Sequence, residues 1–186
     1  MSLLPLGLLS QGGGAGAAGA FELIQTANGT GSSGIIDFTS IPATYKHLQI
    51  RYTAKNTSTS ADLNITFNNV TSASYARKHM VGNSVSMAAA QTVSASNISL
   101  LDAVAPSTTA NVTTNGVIEI LDYAQSTKNK TLRAIYGLVQ AYSTSRIYLA
   151  SGFLESTTAV SRITLTASGN NFSTVSRFSL YGIKGS

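Results

Sequence analysis

The stretch Lys46-His47-Leu48-Gln49-Ile50-Arg51-Tyr52 decides the fold class. Successive side chains of an extended chain point to opposite faces, so Leu48, Ile50 and Tyr52 fall on one side and His47, Gln49 and Arg51 on the other. Outward from this segment the same period of two returns. Leu63, Ile65 and Phe67 alternate with Asn64, Thr66 and Asn68; Ile163 and Leu165 alternate with Arg162, Thr164 and Thr166. Phe178 and Leu180 alternate with Arg177, Ser179 and Tyr181. Further strands are predicted near 21–26, 34–39, 74–81, 97–103, 116–123, 131–140 and 146–154. Residues 116–123 and 132–139 are nearly continuous apolar, which predicts strands buried on both faces.

Turn-forming residues separate these runs: Ala27 to Gly34, Asn56 to Ser60, Ala105 to Asn115, and Ser168 to Asn171. Their Gly, Asn, Ser and Thr accept turn geometry or bond their own backbone. Met87-Ala88-Ala89-Ala90-Gln91 reads as a single helical turn, because alanine is the best helix former. No longer amphipathic helix is present to cross over between parallel strands. The expected fold is therefore all-β: a jelly-roll-like sandwich of about eight to ten antiparallel strands.

Residues 1–20, MSLLPLGLLSQGGGAGAAGA, differ from everything after them. A short apolar peptide carrying Leu3, Leu4, Pro5, Leu6, Leu8 and Leu9 precedes a run of Gly and Ala with almost no side chain to bury. The division expected is an N-terminal anchor arm over 1–20 and a β-sandwich domain over 21–186. Left uncovered, five leucines would be an aggregation liability. Buried in a partner, each contributes about 1.5–3 kcal/mol. No Lys or Arg precedes the apolar segment, and Pro5, Gly7 and Ser10 interrupt it, which argues against a secretory leader.

Composition narrows the function. Charged residues make up 10% of the chain and apolar ones 43%, the reverse of the disordered balance. Twelve Lys and Arg against seven Asp and Glu give +5, but the positives are spread out. Nucleic-acid binding wants a denser basic stripe with interleaved aromatics, so no nucleic-acid partner is expected. No stretch approaches the ~18 apolar residues of a membrane span. Without cysteine and with two histidines, no disulfide, thiolate nucleophile, metal site or cofactor is expected.

The segments FTSIPATYKHLQIRYTA (38–54), SYARKHMVGN (74–83), IEILDYAQSTKNKTLRAIYG (118–137), LESTTAVSRITLTASGNNF (154–172) and FSLYGIKG (178–185) stand in this order along the chain. Together they resemble a family of tailed-bacteriophage virion proteins, described as tail-fibre-like or minor structural proteins. The opening PLGLLSQGGGAGAAGAFELI (5–24) is similar to the start of such proteins. The resemblance implies a β-sandwich or jelly-roll domain, commonly a homotrimer or other symmetric multimer, displayed on the particle surface. It supplies no catalytic residues to carry over. Leu154 stands where relatives are expected to carry an aromatic, a detail of packing.

Candidate chemistry is sparse. Glycan cleavage needs two carboxylates at a set separation. The acids are Glu22, Asp37, Asp62, Asp102, Glu119, Asp122 and Glu155, of which Glu119 and Asp122 are neighbours predicted to face opposite ways. Asp122 is expected to order the loop toward Lys128. His47 and His79 sit in no nucleophile-elbow context and read as surface or subunit-contact residues. No catalytic residue is therefore assigned. Lys128, Lys130 and Arg133 form a basic loop that could meet an anionic surface, and Tyr142 and Tyr148, with Tyr45 and Tyr75, could stack on sugars or pack at subunit contacts.

The expected function is a non-enzymatic virion structural protein, a tail-fibre or adsorption-apparatus component held to other virion proteins through residues 1–20. The alternatives are a decoration or cement protein of the head and, from another class, a module that binds host glycan. A homo-oligomer, most simply a trimer, is the expected state.

Overall fold

The computed structural model describes residues 19–58, 61–108, 110–138 and 145–185. The leucines of the arm lie outside the described residues, as does Tyr142. The described residues form twelve antiparallel strands and no helix. In chain order they are β1 (Phe21–Asn28), β2 (Ile35–Phe38), β3 (His47–Ala54), β4 (Ala61–Phe67), β5 (Tyr75–Gly82) and β6 (Met87–Ala95). There follow β7 (Ile98–Val104), β8 (Thr114–Leu121), β9 (Lys130–Leu138), β10 (Arg146–Leu154), β11 (Ile163–Ala167) and β12 (Arg177–Ile183).

Two sheets face each other. One has the order β1-β12-β3-β8-β9-β10-β5-β6 and the other β2-β11-β4-β7. Setting aside β5, β6, β9 and β10, successive strands pass to the opposite sheet except β4 and β7, which pair within the small sheet, and β1-β12-β3-β8 lies over β2-β11-β4-β7. That is the strand order of a jelly roll, two interlocked Greek keys. The other four strands are two insertions in the roll, β5–β6 between β4 and β7 and β9–β10 between β8 and β11. Both extend the first sheet beyond β8.

The period-two pattern explains the layering. Leu63, Ile65 and Phe67 of β4 are fully buried and meet Ile50, Ile118 and Leu180 of the large sheet in one core. Each such side chain contributes about 1.5–3 kcal/mol relative to exposure. Across the inner face of the large sheet runs an aromatic row in register: Phe178, Tyr52, Gly116, Tyr136, Tyr148. Tyr52 stacks on Phe178 at 5.7 Å and Tyr136 on Tyr148 at 4.8 Å. Gly116 stands between these stacks because a Cβ there would lie 2.6 Å from Tyr136 Cβ and 2.6 Å from Tyr52 Cε1.

Two sequence expectations are corrected. The Met87–Gln91 segment is not a helical turn but part of β6, paired along β5 from Gly82↔Met87 to Arg77↔Thr92. Hairpin hydrogen bonding to β5 overrides alanine's local preference. Strands β8 and β9 are buried on one face only: β9 alternates strictly, with Lys130, Leu132, Ala134 and Tyr136 inward and Thr131, Arg133 and Ile135 outward. The outward face carries nothing above it among the described residues.

Candidate functional site

The outer face of the large sheet carries a row of exposed apolar side chains. Pairing registers align Met80 of β5, Leu149 of β10, Ile135 of β9 and Val117 of β8 in one row perpendicular to the strands. Ile135 is 59% exposed, Leu149 50% and Met80 46%, with Ile147 and Met87 exposed beside them. At the far end of the same face Phe21 and Leu23 of β1 are also exposed. Scattered apolar side chains on a surface need no explanation, but a contiguous row across four strands does.

Charge organises the rim of this row. Lys78, Ser151, Arg133, Glu119 and Gln49 form the adjacent register line. Arg133 pairs with Glu119, and Gln49 Nε2 donates to Glu119 Oε1 at 3.2 Å. Arg51 donates to Gln49 Oε1 at 2.7 Å, and its guanidinium lies 5.0 Å from the Phe21 ring centre and 4.9 Å from that of Tyr181. The outer face is thus an apolar strip bordered by a connected polar line.

The basic loop divides. Lys128 is exposed and pairs with Asp122 at 3.1 Å, and Lys46 reaches the same carboxylate at 3.2 Å. Those two ammonium groups hold the Asp122 carboxyl below its ordinary range, while Asp122 itself takes a left-handed φ of 47° at the end of β8. Asp122 therefore orders the loop as expected. Arg133 is exposed on the outer face. Lys130 is not a surface contact: it is fully buried, and its ammonium donates to the carbonyls of Gln125 and, at 3.0 Å, Lys128. Its parity with Leu132 and Ala134 turns it inward, and burial lowers its affinity for a proton.

The tyrosines are corrected in the same way. Tyr148 is buried, not a surface residue, and its hydroxyl donates to Asp102 Oδ2 at 2.7 Å, where Arg146 also pairs. Burial first, then that hydrogen bond, pushes the Tyr148 phenol up to about 12. Tyr75 is buried as well, accepting from Phe67 N at 2.9 Å and donating to Val70 O at 3.1 Å, which pins the turn between β4 and β5.

Where their surroundings displace carboxyl groups, the shift is downward. Arg162 holds Asp37 low, Lys184 does so for Glu22, and Lys128 and Lys46 for Asp122. A general acid at neutral pH requires the opposite shift. His47 Nδ1 accepts the Asp122 amide at 3.0 Å, whereas His79 is buried beside Tyr148 with Nδ1 unpartnered. Among the described residues no group of three His, Asp or Glu side chains could hold a metal ion.

The outer row was missed in the sequence because 116–123 and 132–139 read as doubly buried. A signal was present: Arg133 and Ile135 share one parity, and a doubly buried strand does not carry an arginine there. Comparison with protein-family models, with curated proteins and with solved structures gives no match to this chain.

Proposed function

We propose that this chain is a non-enzymatic structural protein of a bacteriophage virion, a component of the tail fibre or adsorption apparatus. In this reading the jelly-roll domain is displayed on the particle and residues 1–20 attach it to a neighbouring virion protein. The observation that carries the reading is the open apolar row Met80–Leu149–Ile135–Val117, a surface suited to a subunit packed among others. The leucine-rich arm adds a second point of attachment, and the sequence segments quoted above resemble virion proteins. In a multimer, several arms bind with avidity.

The breadth of the open face also favours a decoration protein of the head, packed side by side on the shell. A glycan-binding module draws less support, since Tyr75 and Tyr148 are buried and offer no stacking platform.

The test is removal of residues 2–20. The truncated protein is expected to fold, with its thermal transition kept, and to be absent from assembled particles. Normal incorporation of the truncated chain would overturn the anchoring role.

A further inference from the structure

We propose that strand β6 is a self-association edge, through which two copies of this chain pair antiparallel over Met87–Val93 about a two-fold axis at Ala90. The proposal rests on the strand's geometry and composition and stands apart from the virion reading.

Sheet edges expose unpaired N–H and C=O groups, and proteins usually guard them with charge, proline or brevity. The edge strands here differ in this respect. β1 carries Glu22, β2 is four residues long and carries Asp37, and β7 carries Asp102. β6 is nine residues long, MAAAQTVSA, with neither a charge nor a proline. Every residue from Met87 to Ser94 is exposed on both faces, Met87 at 73% and Val93 at 64%. One neighbouring strand, β5, holds it by backbone pairing.

The bounds of the segment set the register. At one end Asn83 closes the hairpin, its Oδ1 accepting from Val85 N and Ser86 N at 3.0 and 2.8 Å. At the other, the register with β5 slips between Tyr75 and Arg77, and Ser94 takes a left-handed φ of 52°. The regular edge is therefore Met87–Val93, whose midpoint is Ala90. Antiparallel pairing about that midpoint sets Met87 against Val93 of the second copy, Ala88 against Thr92, and Ala89 against Gln91. The two largest exposed apolar side chains of β6 thus cover each other, twice. The intervening positions are small enough for close approach, and about six to eight backbone hydrogen bonds form.

The pairing also extends the outer face. Met87, Ala89 and Val93 share the parity of Met80, so the outer faces of the two copies join, the row Val117–Ile135–Leu149–Met80–Ala89 ending opposite Gln91, which leads into the Lys78 line of the second copy. A two-fold contact is self-complementary and closes, whereas a heterologous edge contact gives a ring where its rotation closes and an open fibre where it does not. The contact yields dimers or joins larger multimers in pairs, and a trimer would use another surface.

The chain has no cysteine, so single cysteines report the register without background. In the full-length protein, Ala90→Cys is expected to give a disulfide-linked dimer under mild oxidation. Met87→Cys and Val93→Cys are each expected to stay uncrosslinked alone and to crosslink when mixed. Ala90→Lys places two ammonium groups opposite each other at an exposed position. It is expected to keep the circular dichroism spectrum and to weaken self-association at least tenfold by light scattering. A wild-type monomer at micromolar concentration, an Ala90→Cys protein that does not crosslink, or self-association unmoved by Ala90→Lys overturns the proposal.

Discussion

Replacing Gly116 with alanine adds one methyl group where the inner face has no room for it. Its position lies 2.6 Å from Tyr136 Cβ and from Tyr52 Cε1, and 2.8 Å from Tyr52 Cζ. The Tyr136 Cβ moves only with its strand, and the Tyr52 ring is held against Phe178 at 5.7 Å. Overpacking of this kind costs about 1–3 kcal/mol. Against it stands a gain of about 0.4–1 kcal/mol, because alanine leaves the unfolded chain less freedom than glycine does. The clash wins, with a net loss of about 1–2 kcal/mol. For a domain of this size that lowers the thermal midpoint by about 2–8 °C. Differential scanning calorimetry measures it, with Gly82→Ala as control. The nearest atom to a Cβ at Gly82 is Ile147 Cγ2 at 3.6 Å, an ordinary contact, so that variant should match or exceed the parent. Combining Gly116→Ala with Tyr52→Leu should cost less than the sum of the two, since the second change opens the space. A Gly116→Ala protein as stable as the parent would refute the packing of the aromatic row.

Three further outcomes are expected. The Tyr52 and Tyr136 hydroxyls are buried without partners, so Tyr52→Phe and Tyr136→Phe should leave stability unchanged or raise it, by chemical denaturation. Burial, then the Arg77 charge, depresses the proton affinity of His79 below its ordinary 6.5. The unfolded chain therefore binds the proton more readily, and stability falls as pH drops below about 6.5. His79→Gln should flatten that slope in thermal scans, while the loss from Asp37 and Asp122 comes lower, below the ordinary 3.8. Ile50→Asp buries an unpaired charge and should abolish folding, whereas Ile135→Asp on the open face should change stability by about 1 kcal/mol or less. Equal effects of the two, judged by soluble yield and circular dichroism, would contradict the division into faces.

The jelly roll was legible because local alternation survives in the final structure. Leu48-Ile50-Tyr52 and Leu63-Ile65-Phe67 occupy the inner faces that their spacing assigns. β6 was not legible, since its alanines favour a helix locally and only its pairing to β5 extends them. The outer row was hidden for a related reason. Val117, Ile135, Leu149 and Met80 come from four separate strands, and only the long-range register brings them into line. Lys130 could have been read correctly: it continues the inward parity of Leu132, Ala134 and Tyr136. A charge-based reading of the loop took precedence there over periodicity. The Asp122 loop was legible in part: its pairing with Lys128 is local, whereas its bonds to Lys46 and His47 come from a distant strand.

The central claim, that this chain is a structural part of a virion, is tested most directly by immunogold electron microscopy of purified particles. An antibody against the domain of residues 21–186 serves as the probe. The account predicts gold on the tail or its adsorption apparatus; gold spread over the head would select the decoration reading. Particles that carry no gold anywhere would contradict the account.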